Sequence, residues 1–503
     1  MGEIIPFVFS LSGGLVLDKS SFEIAPGSAI ELENYEPSIK GGYRRINGTA
    51  KWNSNIVPQT SVDSEKVLMS AIFGSNVIAA RGEKIFSGTS TGSWTEIDTG
   101  RTSAKRYTFE RFNFNGTDKI IFADGANHAS TWDGSTLVDL NGAAGSGSGT
   151  APSAPQFVAI FKDHVFLADS TTNTVTFTAP FNENDFSSGN GAGAIKIDST
   201  LVGMRVFREE LYIFGTTRIF KVSGSSSSNF SMKPVARSIG CISGFTIQEF
   251  AGDLVYLGPD GLRTVAGTAK IGDVELGTIS QAVRPRFAEQ TNPDLFESVV
   301  IPSKTQYRIF FNKEGRVETQ TYGIICVLKG EGYEFADLRG IKPSCTDNDY
   351  ISGIETVIHG GFDGYIYEQE KGSNFNGLSI EGIYRSPDLM MGDAGILKSF
   401  SHLLANYSPE SVIDANIFLR YDYEVDTAIR PDPYPLSVST LVSVYGTQVY
   451  GVGIYGGSSD PVKRQPVEGS GYAIAIRIKD DGTNSAPYTL RGFQLEYSQG
   501  TRR

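Results

Sequence analysis

Leu254-Val-Tyr-Leu-Gly258-Pro-Asp-Gly261-Leu-Arg-Thr-Val265 is the stretch on which the fold reading turns. Four apolar or aromatic residues run without a break, Gly-Pro-Asp-Gly supplies tight-turn chemistry, and a second short run follows. Such a pattern reads as two paired strands rather than a helix, which would need apolar residues three and four apart.

The same unit recurs in both directions along the chain. Upstream stand Val77-Ile-Ala-Ala80 with Lys84-Ile-Phe86, and Ile120-Ile-Phe122 with Ser130-Thr-Trp132. His164-Val-Phe-Leu167 with Val175-Thr-Phe177 and Leu211-Tyr-Ile-Phe214 with Arg218-Ile-Phe220 continue the series. Downstream are Tyr307-Arg-Ile-Phe-Phe311 with Thr321-Tyr-Gly-Ile-Ile325, and Thr356-Val-Ile358 with Tyr365-Ile-Tyr367 across Gly361-Phe-Asp-Gly364. Short strands repeated at roughly 40–50 residues predict propeller blades, about six or seven of them, degenerate and without a WD or kelch motif. A serial β-sandwich is the alternative topology.

The flanks differ. Residues 1–55 read as an arm, with turns at Ser12-Gly13-Gly14 and Pro26-Gly27 and one alternating strand, Ala29-Ile-Glu-Leu-Glu-Asn34. After about residue 375 the strands lengthen, as in Val412–Asp422 and Gly471–Ile478, the latter expected to pair with Tyr488–Tyr497 across Asp480-Asp-Gly482. The chain is therefore expected to be all-β: arm 1–55, propeller 56–375, and a β-sandwich-like domain at 376–503 against which the arm packs. The best helical candidate, Glu275–Val283, is short and is expected to stop at Pro285. Gly142–Gly149, Gly189–Gly193 and Ser223–Ser228 read as loops.

Composition agrees with a β protein. The 503 residues include 57 Gly, 31 Phe and 22 Tyr but 6 Met; aromatics fill strands and glycine supplies turns with positive φ. A net charge of −12 argues against a surface that grips nucleic acid. Three cysteines at unrelated spacings encode neither a disulfide framework nor a CxxC site, and the expected compartment of synthesis is a reducing cytosol. Met1-Gly-Glu-Ile-Ile-Pro6 lacks the basic and apolar regions of a signal peptide, and no apolar run is long enough to predict a spanning helix.

No constellation for catalysis or cofactor binding stands out. The four histidines, His128, His164, His359 and His402, lie far apart in sequence. Gly451-Val-Gly453-Ile-Tyr-Gly456 matches GxGxxG without the strand and helix that a dinucleotide site needs. Asp347-Asn-Asp349 resembles a calcium loop but lacks the closing glutamate, and reads as a hairpin turn. The expectation is a non-enzymatic chain with no cofactor and no metal. Lys40, Tyr43, Arg44 and Arg45, in a basic glycine-rich turn, are the candidates for an interface.

Three phrases resemble a known family. The first is Ser12-Gly-Gly-Leu-Val with Ile24-Ala-Pro-Gly-Ser-Ala-Ile-Glu-Leu-Glu-Asn-Tyr-Glu-Pro37 and Gly41-Gly-Tyr-Arg-Arg45. The second is Phe214-Gly-Thr-Thr-Arg-Ile-Phe-Lys-Val222, Ile239-Gly-Cys-Ile-Ser243 and Leu254–Leu262, and the third is Pro487-Tyr-Thr-Leu-Arg-Gly-Phe-Gln-Leu-Glu-Tyr497 with Arg502-Arg503. Together they resemble the tail-nozzle, or tail-hub, proteins of short-tailed bacteriophages, also described as packaged-DNA stabilisation proteins. The resemblance implies a structural virion protein in a ring, usually a hexamer, below the portal and its adaptor, assembled in the host cytoplasm and without membrane insertion. It implies contacts to fibres or a tail tip, and DNA ejection through the lumen with no sequence-specific binding. The alternative is a carbohydrate-binding or carbohydrate-cleaving propeller, a receptor-binding tail protein.

Overall fold

A computed structural model describes residues 3–59, 66–102, 105–142, 149–270, 278–312, 321–330, 332–410, 413–423, 431–438, 462–483 and 487–502. Its order is all-β, and six small sheets are arranged as a six-bladed propeller. The blades span 69–98, 108–139, 157–196, 201–236, 248–264 and 345–369. Each paired unit read from the sequence forms neighbouring antiparallel strands, as in Val77↔Gly88, Phe166↔Phe177 and Gly258↔Gly261. These strands are buried on both faces because blades stack against each other. Asn76–Arg81 and Glu210–Gly215 have no exposed residue, so they read as continuous apolar runs rather than alternating ones.

The propeller closes without a covalent link. Thr49–Lys51, from the N-terminal segment, pairs antiparallel with Ile366–Gln369 and supplies the fourth strand of the last blade, beyond which Asn374–Phe375 and Leu378–Ser379 extend the sheet. The inner strand of that blade meets the first blade, where Asp347 Oδ2 accepts a hydrogen bond from Ile72 N at 2.7 Å. The meander at 296–338 stands between the fifth and sixth blades, its first strand Phe296–Ile301 packed against Gln248–Phe250 and Cys345–Ile351.

That meander continues outward into a nine-stranded sheet. Glu31–Glu33 is the stitch: it runs parallel to Gly332–Leu338 (Glu33↔Asp337) and antiparallel to Gly382–Arg385. Ile474–Asp480, Ile413–Tyr421 and Tyr434–Val438 complete the sheet. A seven-stranded sheet holds Tyr488–Arg502 at its centre, flanked by Ile396–Pro409 on one side and by Ile5–Ser10 and Tyr43–Arg45 on the other. The two sheets share one core, in which Leu32, Tyr384, Ile417 and Ile476 meet Phe9, Tyr43, Leu403 and Leu495. Burial of each of these side chains contributes on the order of 2 kcal/mol.

Several local expectations are corrected. Ile474–Asp480 and Tyr488–Arg502 do not form a hairpin; they belong to opposite sheets. The intervening turn holds Gly482 at φ +75°, where a Cβ would stand 2.2 Å from the Ile380 carbonyl oxygen, so the chain is steered across the sandwich instead of back along its own sheet. Asp347-Asn-Asp349 is not a turn but part of the strand Cys345–Ile351, because Asp347 has an arginine partner inside. Residues 275–277 of the helical candidate lie outside the described residues. Its remainder forms a 3-10 turn at Gln281–Val283, and a short helix, Arg284–Ala288, then starts instead of stopping at Pro285. Proline is tolerated in a first turn, where its missing N–H would have had no partner. Gly193 begins a strand, Gly193–Lys196, rather than ending a loop. Gly451–Gly456 and 143–148 lie outside the described residues.

Candidate functional site

The interface candidates divide. The turn before them needs Gly42 at φ +81°, where a Cβ would stand 2.1 Å from the Leu490 carbonyl oxygen. Tyr43 and Arg45 then point inward and are fully buried. The Tyr43 hydroxyl donates to Gly27 O (2.8 Å), and Arg45 Nη2 donates to Ile380 O (2.7 Å) with Nε 3.4 Å from Asp480. Neither is available to a partner; both serve the chain's own core. The reason is the alternation of Tyr43–Arg45, an inner strand of the seven-stranded sheet. Arg44 is held by Glu410 (2.6 Å) and Glu36 (3.3 Å), while Lys40 is exposed.

Lys40 and Arg44 line a cavity of about 430 Å³ where the arm meets the meander and the Tyr488–Arg502 strand. Behind it lies an ionic cluster. Glu36 accepts from Lys304 (2.7 Å) and from the buried Arg308 (3.4 Å), and Glu370 accepts from both cations (2.5 Å each). Burial alone would raise the Glu370 carboxyl, but Arg308 and Lys304 outweigh it and hold it well below the usual range.

A second cavity, about 560 Å³, occupies the propeller centre. Inner strands of five blades, the second to the sixth, the loop before the fifth, and the meander reach it. Glu297, Asp347, Glu110 and Glu249 bring carboxylates, Arg111 and Arg205 bring cations, and Tyr107, Phe109 and Phe245 bring rings. Most charges are paired, two of them across blades: Arg205 with Glu110 (2.8 Å) and Arg111 with Asp347, while Arg106, just before the second blade, pairs with Glu297 of the meander (2.7 Å). The Arg106 guanidinium also lies 3.7 Å from the centre of the Phe245 ring.

Glu297 is the perturbed member. Burial pushes its carboxyl up to about 7, against the pull of Arg106 and a hydrogen bond from Thr346 Oγ1 at 2.9 Å. Burial likewise lowers Arg106. Both partners are pushed toward neutrality, so desolvation exceeds their mutual attraction. Asp347 is also raised by burial despite Arg111. A carboxyl that keeps its proton near neutral pH can donate it, and Glu249, exposed and on the fifth blade, brings a second carboxyl group to the same cavity.

Sequence reasoning missed all of these groups. They come from separate blades, the loops before them and the meander, and no spacing along the chain registers that convergence. Two of the histidines are packed inside: His164 Nδ1 contacts Thr178 O at 2.5 Å, and His359 stacks on Tyr367 with burial lowering it to about 3. Among the described residues no group of three or more His, Cys, Asp or Glu side chains is placed to hold a metal ion.

No protein-family model matches the chain, and no curated protein matches its sequence. Among solved structures it is similar to an ancestral GH74 enzyme, at 10% identity and a TM-score of 0.40, over 68% of this chain and 54% of that one. It thus spans about half of that enzyme's length. It is similar to an exo-beta-1,3-galactanase from Phanerochaete chrysosporium solved with galactose, at 9% identity and a TM-score of 0.25, over 90% and 100%. A third match is BBS1N in complex with ARL6DN, at 7% identity and a TM-score of 0.28, over 59% and 75%. Likeness this distant says nothing about what this chain acts on.

The expectation of a non-enzymatic chain is nevertheless corrected here. The central cavity gathers carboxyls that the linear sequence does not reveal, Glu297 among them with its carboxyl pushed up by burial. The absence of a linear motif is therefore no ground for excluding hydrolysis.

Proposed function

We propose that the chain is a wall-forming subunit of a bacteriophage tail nozzle, assembling into a ring below the head-to-tail connector. The observation that carries this reading is the meeting of the two end phrases that resemble that family. Tyr43-Arg44 pairs with Thr489-Leu490, and Ile5–Ser10 pairs with Gly492–Tyr497. The resemblance therefore falls on one continuous sheet rather than on scattered phrases. The stitch at Glu31–Glu33 and the closing strand Thr49–Lys51 tie that sheet to the propeller. Two modules joined by several strands make a stiff wall element, and heterologous contacts between such elements close a ring by rotation. In this reading DNA passes through the ring's lumen, and fibres or a tip bind its outer or lower face. Light scattering on the purified chain tests it: a mass near six times 54.4 kDa is expected, and a monomer at every concentration and salt would overturn it.

A second reading is favoured by Glu297. A protonated carboxyl in a cavity lined by aromatic rings and a second carboxylate is the equipment for cleaving or holding a carbohydrate. Release of reducing sugar from bacterial surface polysaccharide, abolished by Glu297→Gln and by Glu249→Gln, would establish it. Absence of release from every polysaccharide offered, with no sugar binding by calorimetry, would dismiss it.

A further inference from the structure

The 430 Å³ cavity at the arm junction differs in charge from the rest of the chain. Its wall carries four cations, Lys40, Arg44, Lys304 and Arg491, against two carboxylates, Glu36 and Glu410, in a chain of net charge −12. Lys40 and Arg491 are exposed, and their charged side-chain ends have no hydrogen-bond or ion-pair partner among the described residues. Seryl and threonyl hydroxyls of Ser38, Ser303, Ser408 and Thr489 complete the polar wall.

Glu410 reveals what such a wall accepts. Its carboxylate is gripped by the Arg44 fork through both oxygens, Nε to Oε1 at 2.6 Å and Nη2 to Oε2 at 2.9 Å. That is the two-point geometry by which arginine recognises planar anions. Yet Glu410 is half-exposed, with 47% of its side chain accessible, and Arg44 is mostly buried. The fork is fixed in the wall while its present occupant sits at the rim, where an exposed ion pair is worth less than about 1 kcal/mol. Another carboxylate can replace Glu410 at little cost, with Lys40 and Arg491 free to take a neighbouring acidic group.

We infer that this junction cavity is a docking site for a short acidic peptide segment, whose carboxylates exchange with Glu410 on Arg44 and engage Lys40 and Arg491. A peptide fits better than nucleic acid. Glu36 and Glu410 interrupt the positive wall, and the acidic remainder of the chain opposes the approach of a long phosphate backbone. The inference does not depend on ring assembly, although an acidic segment of an adjoining ring component would suit it.

Calorimetric titration of the full chain with hexaglutamate tests it at low and high salt. Binding weakened by salt is expected. Lys40→Ala combined with Arg491→Ala should weaken it roughly fivefold, the product of two exposed ion pairs, because neither side chain belongs to the buried cluster. Lys196→Ala, on an outer strand of the third blade, should leave it unchanged. Glu410→Gln should tighten it by freeing the fork. The site is refuted by no hexaglutamate binding, by an unaltered affinity in the double variant, or by an equal loss in Lys196→Ala. A DNA duplex that binds as tightly and loses affinity in the same double variant would overturn the choice of peptide.

Discussion

Replacing Arg308 by leucine tests the junction that joins arm, meander and last blade. The guanidinium is 1% exposed and makes four hydrogen bonds, to Gln306 (2.6 Å), Gln369 (3.1 Å), Glu36 (3.4 Å) and Glu370 (2.5 Å). Removing one member of a buried ion pair costs about 3 to 5 kcal/mol, because the abandoned charge stays out of water. Lys304 still reaches both glutamates and Asn47 still donates to Glu370 at 2.7 Å, so the lower end, roughly 3 kcal/mol, is expected. Thermal unfolding should show a Tm lower by several degrees. The pH dependence is the sharper readout. Glu370 is depressed in the folded chain, so it contributes stability that is present above its unfolded value of 4.5 and is lost as pH falls below it. Arg308→Leu removes much of that depression, and the variant should lose less Tm than the parent as pH falls from about 5 to about 2. An unchanged Tm at neutral pH, or an acid sensitivity equal to the parent's, would refute the assignment of Arg308 as the anchor of this cluster.

Other outcomes follow from the same geometry. Glu297 has the opposite sign: raised from 4.5 to about 7, it stabilises least at high pH, so the parent loses up to roughly 3 kcal/mol as pH rises through that window, and a pH titration of Tm should flatten in Glu297→Gln. Gly482→Ala must relieve both a left-handed φ and the 2.2 Å approach to Ile380 O, and should cost about 2 kcal/mol or more by chemical denaturation, whereas Gly74→Ala, with open space around it, should cost less. Tyr488→Phe removes the 2.5 Å contact between the Tyr35 and Tyr488 hydroxyls inside the sandwich and should cost about 1 kcal/mol in the same assay. An assembled nozzle ring should present a net-negative lumen, and duplex binding by the chain at physiological salt should be weak in a gel-shift titration; tight binding would contradict that lining.

The propeller was legible because its central strands are buried on both faces. Runs such as Ile120-Ile-Phe122 and Leu211-Tyr-Ile-Phe214 cannot be satisfied by a one-sided sheet, and their spacing carries the repeat. The outermost strands carry no such signal. Thr95–Asp98 and Leu137–Asp139 have no buried residue, and most of Ser231–Ala236 faces outward, so nothing apolar marks them. The sandwich pairings were hidden for another reason. Alternation shows that Ile474–Asp480 has one buried face but not which sheet it joins, and the steric demand at Gly482 that sends the chain across appears only once Ile380 is in place. The basic turn misled because charge was read as exposure, when Arg45 meets Asp480 inside the core. The carboxyls of the central cavity lie on separate blades and on the meander between them, and only ring closure brings Glu297, Asp347 and Glu249 to one space.

Electron micrographs of the purified chain test the central claim most directly. Class averages of closed rings with an open centre are expected, built of subunits that each show a propeller beside a smaller sandwich. A field of single propeller-sized particles at every concentration, in a preparation that releases sugar from bacterial polysaccharide, would contradict it.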